Sequence, residues 1–88
     1  MRVQFEGAVI REQGLTFAVV VVKRHVVDNP HTANQAIGSF GRAFPGMPII
    51  LMGQDSGGRA KWFGRPDIAR FMASTPLGAI PWQRYTLN

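Results

Sequence analysis

The sequence contains no cysteine. This rules out disulfides, thiol redox chemistry, cysteine nucleophiles and thiolate zinc sites. Carboxylates are scarce as well. The five present are Glu6, Glu12, Asp28, Asp55 and Asp67, which leaves little material for an acid/base pair. Asp55 and Asp67 already have local explanations, in a turn and in the first turn of a helix. The longest apolar run, Phe17–Val22, falls far short of the roughly 20 residues that a membrane helix needs. Glu6 and Arg11 occupy the region where a secretory signal would require an apolar core. A cytoplasmic protein without a membrane segment is therefore expected. A glycine-rich phosphate loop is also lacking, because "GSFG" and "DSGG" are not set in a strand–loop–lysine–helix arrangement. No catalytic set and no cofactor site emerge.

The 88 residues are 45% hydrophobic and 17% charged, the balance of one globular domain spanning residues 1–88. A chain of this size buries roughly 60–65% of the surface its unfolded form exposes. The net charge of +5 admits an acidic partner such as nucleic acid. The basic residues are nevertheless spread from Arg2 to Arg84 rather than gathered in a tail.

Val3, Phe5 and Val9 alternate with polar residues as in a half-buried strand. Gln13-Gly14 suits a tight turn. The stretch "LTFAVVVVKRHVVD" reads as a central strand, apolar on both faces, that pairs with the first in a hairpin. Asn29 and Pro30 suit a helix N-cap and first helical position. Ala33, Ile37, Phe40 and Phe44 recur at helical spacing, which predicts a helix over residues 30–43. Gly38 and Gly41 weaken that helix, and the expectation is that they let its backbone approach the sheet. "PIILM" opens on Pro48 as a second central strand. Asp55–Gly58 form a turn and Ala60–Phe63 a short strand, completing a second hairpin. A second helix starts at Pro66 and stops near Ser74, ahead of Pro76. The tail carries Leu77, Ile80, Trp82 and Tyr85 and should pack across the domain. The expected fold is α+β, in two or three layers: a mixed four-stranded sheet in chain order β-β-α-β-β-α with a packed tail. The link between the two central strands is long enough for a parallel crossover.

Two resemblances follow. "VVDNPHTA", "GMPII" and "GRAKWFGRPDIARFM" together resemble the C-terminal half of thioredoxin-like proteins over residues 26–72. The resemblance implies a cis peptide at Pro48 beside a peptide-binding groove. The family's paired cysteines have no counterpart, so thiol oxidoreductase activity is not implied. Without its Gln54, "GQDSGG" resembles the nucleophile motif of chymotrypsin-like serine proteases. His25, Asp28 and Ser56 even follow that family's chain order. Its two β-barrels need far more chain than this, however, and turn chemistry accounts for every residue of "DSGG". The expectation is that this is neither a serine protease nor another enzyme.

Two constellations remain. His25, Asp28 and His31 have the atoms for a divalent metal. They meet only if the chain bends between them, because residues three apart on a strand face opposite ways; otherwise they are a strand end, a helix cap region and an exposed first turn. "GGRAKWFGR" interleaves Arg59, Lys61 and Arg65 with Trp62 and Phe63. Cations neutralise phosphates and aromatic faces stack on bases, as a single-strand-binding ribbon would require. The competing reading places Trp62 in the core and leaves the charges to protect an edge strand. Alternation puts Arg59, Lys61 and Phe63 on one face and Ala60 and Trp62 on the other. The candidate ligand-binding residues are thus Arg59, Lys61, Trp62, Arg65 and Pro48. The two central strands carry more apolar surface than two short helices cover. A small non-catalytic binding domain that pairs with a protein partner or with itself as a homodimer is expected, with a nucleic-acid-binding module as the alternative.

Overall fold

The computed structural model describes residues 3–12 and 14–87. It is an α+β domain built on one mixed sheet. β1 (Val3–Glu12) and β2 (Leu15–Val21) form the expected antiparallel hairpin, paired from Glu12↔Leu15 to Gly7↔Val20. Gly14 takes a left-handed φ of 76° in the connecting turn, a conformation that glycine adopts without steric cost. Gln13, the other residue assigned to that turn, lies outside the described residues.

The chain then crosses over to β3 (Ile49–Gln54), which lies parallel to β2 with Ala18 opposite Ile49. β4 (Ala60–Phe63) returns antiparallel to β3. Among the described residues no helix is long and apolar enough to cross a membrane.

The sheet has five strands rather than four, in the order β4-β3-β2-β1-β5. The fifth is the tail. After a 3₁₀ turn (Leu77–Ala79), β5 (Gln83–Leu87) pairs antiparallel with β1, from Val3↔Leu87 to Gly7↔Gln83. Pro76 and Pro81 mark this region as irregular, yet the last strand begins beyond both. Tyr85 and Leu87 alternate inward as a half-buried strand demands.

The crossover also departs from expectation. The strand ends at Val21, and Arg24–Asp28 form a short helix, α1. Valine's reluctance in a helix costs only tenths of a kcal/mol. Burying Val27, which is 2% exposed, returns about 1.5–3 kcal/mol, so tertiary packing overrides strand propensity. Asn29 then caps α2 (Pro30–Phe40), its Oδ1 accepting from the N–H groups of His31 (2.9 Å) and Thr32 (3.4 Å). α2 stops at Phe40, three residues short of the expected end, and the chain continues in turns through Gly41, Ala43 and Phe44. α3 spans Pro66–Ala73.

Both faces of the sheet are covered, which makes three layers. α1 and α2 lie over Phe5, Ala18, Val20, Ile49 and Leu51. Phe5 centres an aromatic group there, with ring centroids 4.8 Å from Phe40, 5.6 Å from Tyr85 and 6.0 Å from Phe44. α3 and the 3₁₀ turn cover the opposite face over Ala8, Phe17, Val19, Ile50 and Met52. Trp82 is fastened to that layer by its Nε1–H, which donates to the Leu77 carbonyl at 3.1 Å.

The glycine that permits close packing is not in α2. A Cβ on Gly38 would meet open space, whereas a Cβ on Gly53 would stand 2.8 Å from Val27 Cγ2 and 3.1 Å from Arg24 Cα. Gly53 is the position on β3 where α1 rests on the sheet. Gly41 meets only carbonyls of its own helix.

Candidate functional site

The "GQDSGG" segment is the β3–β4 turn. Asp55 organises it: its Oδ1 accepts from the N–H groups of Gly57 (2.9 Å) and Arg59 (3.0 Å), and its carbonyl accepts from Gly58 N–H (3.0 Å). Gly58 sits at φ 83°, where a side chain would be strained. Gln54 Nε2 donates to the Gly58 carbonyl at 3.1 Å. Ser56 is exposed at the tip. Each residue is accounted for by backbone geometry.

Beside this turn lies a charged cluster that the sequence does not announce. Asp28 on α1 accepts from Lys61 Nζ at 3.0 Å and from Arg24 Nε at 3.1 Å, and Arg24 also reaches Asp55 at 3.6 Å. Lys61 and Arg24 hold the Asp28 carboxyl below its ordinary 3.8. Residues 24, 28, 55 and 61 were separated by reading 24–28 as strand. In a strand, residues 24 and 28 would stand about 13 Å apart, whereas the helical turn brings them within about 6 Å. A carboxylate whose folded pKa is lowered contributes stability above its unfolded pKa and loses it as pH falls through the folded value. Asp28→Asn is therefore expected to lower stability at pH 6 and to lower it less at pH 2.5, as urea denaturation at the two pH values would show. An equal loss at both would mean that the charge plays no part.

His25 is exposed on α1 and His31 on the first turn of α2, while Asp28 is engaged by the two cations. Among the described residues, no three histidine, aspartate or glutamate side chains converge as a metal site.

The residues of the basic–aromatic strand separate. Lys61 lies on the α1 side, bound to Asp28, and Phe63 packs into the same layer. Trp62 and Ala60 pack into the opposite layer, so the alternation is as expected. Arg65 lies beyond the far end of β4 from Arg59, and its guanidinium forks onto both Asp67 oxygens at 2.9 Å. That pairing holds the Asp67 carboxyl below its ordinary value. Pro48 leads into β3, and its carbonyl accepts from Ala18 N–H at 3.0 Å. The described peptide bonds are all trans, so Pro48 does not take the cis geometry that the resemblance implies.

Two further features were not legible in the sequence. The sheet's rims are β4, flanked by α1 and α3, and β5, whose principal neighbour is β1 alone. At the end of β2, two hollows adjoin. One of about 460 Å³ is lined by Val3, Phe5, Val22, Lys23, Val26 and Phe40, among others. One of about 390 Å³ is lined by Gln4, Phe5, Glu6, Val21 and Arg84. The missing signal is strand pairing: β1 begins at Val3, whereas its pairing with β2 ends at Gly7↔Val20.

Compared with protein-family models, with curated proteins and with solved structures, the chain matches none.

Proposed function

We propose that the chain is a small non-catalytic binding domain that self-associates through the β5 edge. The observation that carries this reading is the contrast between the two rims of the sheet. β4 is four residues long, bears Lys61 and is flanked by helices, the features that blunt an edge against pairing. β5 is five residues long, carries Arg84 and, among the described residues, makes no contact with a helix comparable to those of β4. Both faces of the central strands are covered by the chain's own helices and tail. A sheet edge rather than a sheet face therefore remains as the pairing surface.

Two β5 strands joined antiparallel about a two-fold axis at Tyr85 would place Arg84 opposite Thr86 of the second copy, and Gln83 opposite Leu87. No like charges then oppose one another, which favours the pairing. The nucleic-acid alternative has less support. Lys61 and Arg65 already hold carboxylates, and Trp62 faces away from Lys61.

Sedimentation equilibrium from about 1 µM to 1 mM should show a dimer forming. Thr86→Lys sets a lysine against Arg84 and should weaken the dimer, whereas Thr86→Glu should strengthen it. Each change is expected to be several-fold at low salt. A monomer throughout that range would reject the reading.

A further inference from the structure

β1 has ten residues and β2 seven. Their pairing stops at Gly7↔Val20, although β2 runs on to Val21, which pairs with Met52 of β3. Val22 still donates its N–H to the Met52 carbonyl of β3 at 2.9 Å, and α1 begins at Arg24. Val3–Glu6 thus keep β5 on one side and lack a strand neighbour on the other. In an antiparallel strand, every second residue turns its N–H and C=O toward a given side. The overhang therefore presents a short unpaired edge within the outline of the sheet.

That edge borders the larger hollow. Val3, Phe5, Val22, Val26 and Phe40 make its surface apolar, and among the described residues Lys23 is the one charged residue lining it. Lys23 is exposed and forms no ion pair among the described residues. Val3 is 43% exposed, unusually open for an apolar side chain beside a core aromatic group. On the other side of β1, Gln4 and Glu6 are exposed and polar.

We infer that this notch takes an extended segment of a partner polypeptide as an added strand alongside Val3–Glu6, apolar at alternate residues and carrying a carboxylate that meets Lys23. Three independent features specify that occupant. The unpaired backbone edge selects a peptide over a lipid, because only a peptide returns its hydrogen bonds. The alternation of β1 sets an apolar side toward Val26 and Phe40 and a polar side toward Gln4 and Glu6. The exposed Lys23 selects an acidic residue. A second folded copy is the less suited occupant, because its β4 or β5 brings the rest of its sheet with it, whereas a single extended segment does not. The inference rests on reading the chain as a binding domain, but not on its self-association.

The probe is a fluorescein-labelled heptapeptide that alternates valine with threonine and ends in two aspartates. It is titrated into the intact chain and followed by fluorescence anisotropy and by backbone amide chemical shifts. A pairing this short should give a Kd between about 10 µM and 1 mM, with shifts concentrated at Val3–Glu6, Val22 and Lys23. Lys23→Glu should weaken binding about fivefold at low salt with thermal unfolding unchanged, and Lys23→Arg should retain it. Three results would overturn the inference: no shifts at about 1 mM peptide, shifts centred on Gln83–Leu87, or an equal response to decanoate, which has the charge and the apolar chain but no backbone to pair. Thr86→Lys, which opposes the proposed dimer, should leave peptide binding intact. Failure of the peptide with the dimer preserved would therefore count against the notch alone.

Discussion

Phe5→Ala is expected to remove about 3–5 kcal/mol of stability, the largest effect of any single change considered. The ring is 8% exposed and stands among Phe40, Phe44 and Tyr85, whose centroids all lie within 6.0 Å of it. Phe44 and Tyr85 also meet edge to face at 5.0 Å, so the truncation would leave a cavity bounded by three aromatic rings that cannot all collapse into it. Aromatic pairs contribute beyond their buried area. Phe5 also holds three distant parts of the chain together, since Phe40 ends α2, Phe44 lies in the turn after it and Tyr85 belongs to the tail strand. A domain of 88 residues has a total stability of about 4–13 kcal/mol. The variant should therefore lose between about a quarter and all of that stability. Urea denaturation followed by tryptophan fluorescence and circular dichroism measures this. A loss below about 1 kcal/mol would mean that the aromatic group is not a structural centre.

Gly53→Ala should destabilise the protein by about 1–3 kcal/mol, enough to lower the melting temperature by roughly 4–20 °C in a domain of this size. The added Cβ would lie 2.8 Å from Val27 Cγ2 and 3.1 Å from Arg24 Cα. Arg24 presents backbone there and cannot swing aside, so α1 must lift from β3. Lifting α1 would also part Asp28 from Lys61 and Arg24 from Asp55. The same substitution at Gly38 should have the opposite sign, gaining about 0.5–1 kcal/mol. There the Cβ enters open space on the exposed side of α2. Two glycine-to-alanine changes of opposite sign, read by thermal melts, test the packing of α1 directly. Stabilisation at Gly53 would contradict the position of that helix.

Much of the architecture was legible because local signals and packing agree. Asn29-Pro30 and Pro66 mark helix starts that the structure keeps. Asp55–Gly58 carry their turn in their own side-chain and backbone chemistry. Ala60–Phe63 were predicted with the observed bounds and facing. The errors arose where a long-range contact outweighs a local preference. "HVV" belongs to a β-branched run, but Val27 is buried only if the chain turns into a helix above Gly53. "QRYTL" follows two prolines, yet it becomes a strand because β1 supplies an edge and Phe5 and Phe44 supply a seat for Tyr85. Gly38 and Gly53 look equivalent in a string of letters, and only the neighbouring element tells them apart.

The candidate surfaces divide in the same way. Sequence alone placed Lys61 and Trp62 on opposite faces of one strand, since side chains alternate along any extended backbone. It also read "GQDSGG" as a turn, because aspartate, serine and glycine at that spacing satisfy one. Sequence could not pair Lys61 with Asp28, 33 positions away, or Arg24 with Asp55, because ion pairing depends on distance in space. Nor could it show that β1 overruns its pairing with β2, which leaves Val3–Glu6 without a strand neighbour on that side, or that β5 closes one side of the sheet while opening a new edge. Turns, caps and alternation are decided within a few residues by backbone sterics and hydrogen bonding. Strand count, edges and notches are decided by which segments meet, and that is set only when the whole chain buries its apolar surface at once.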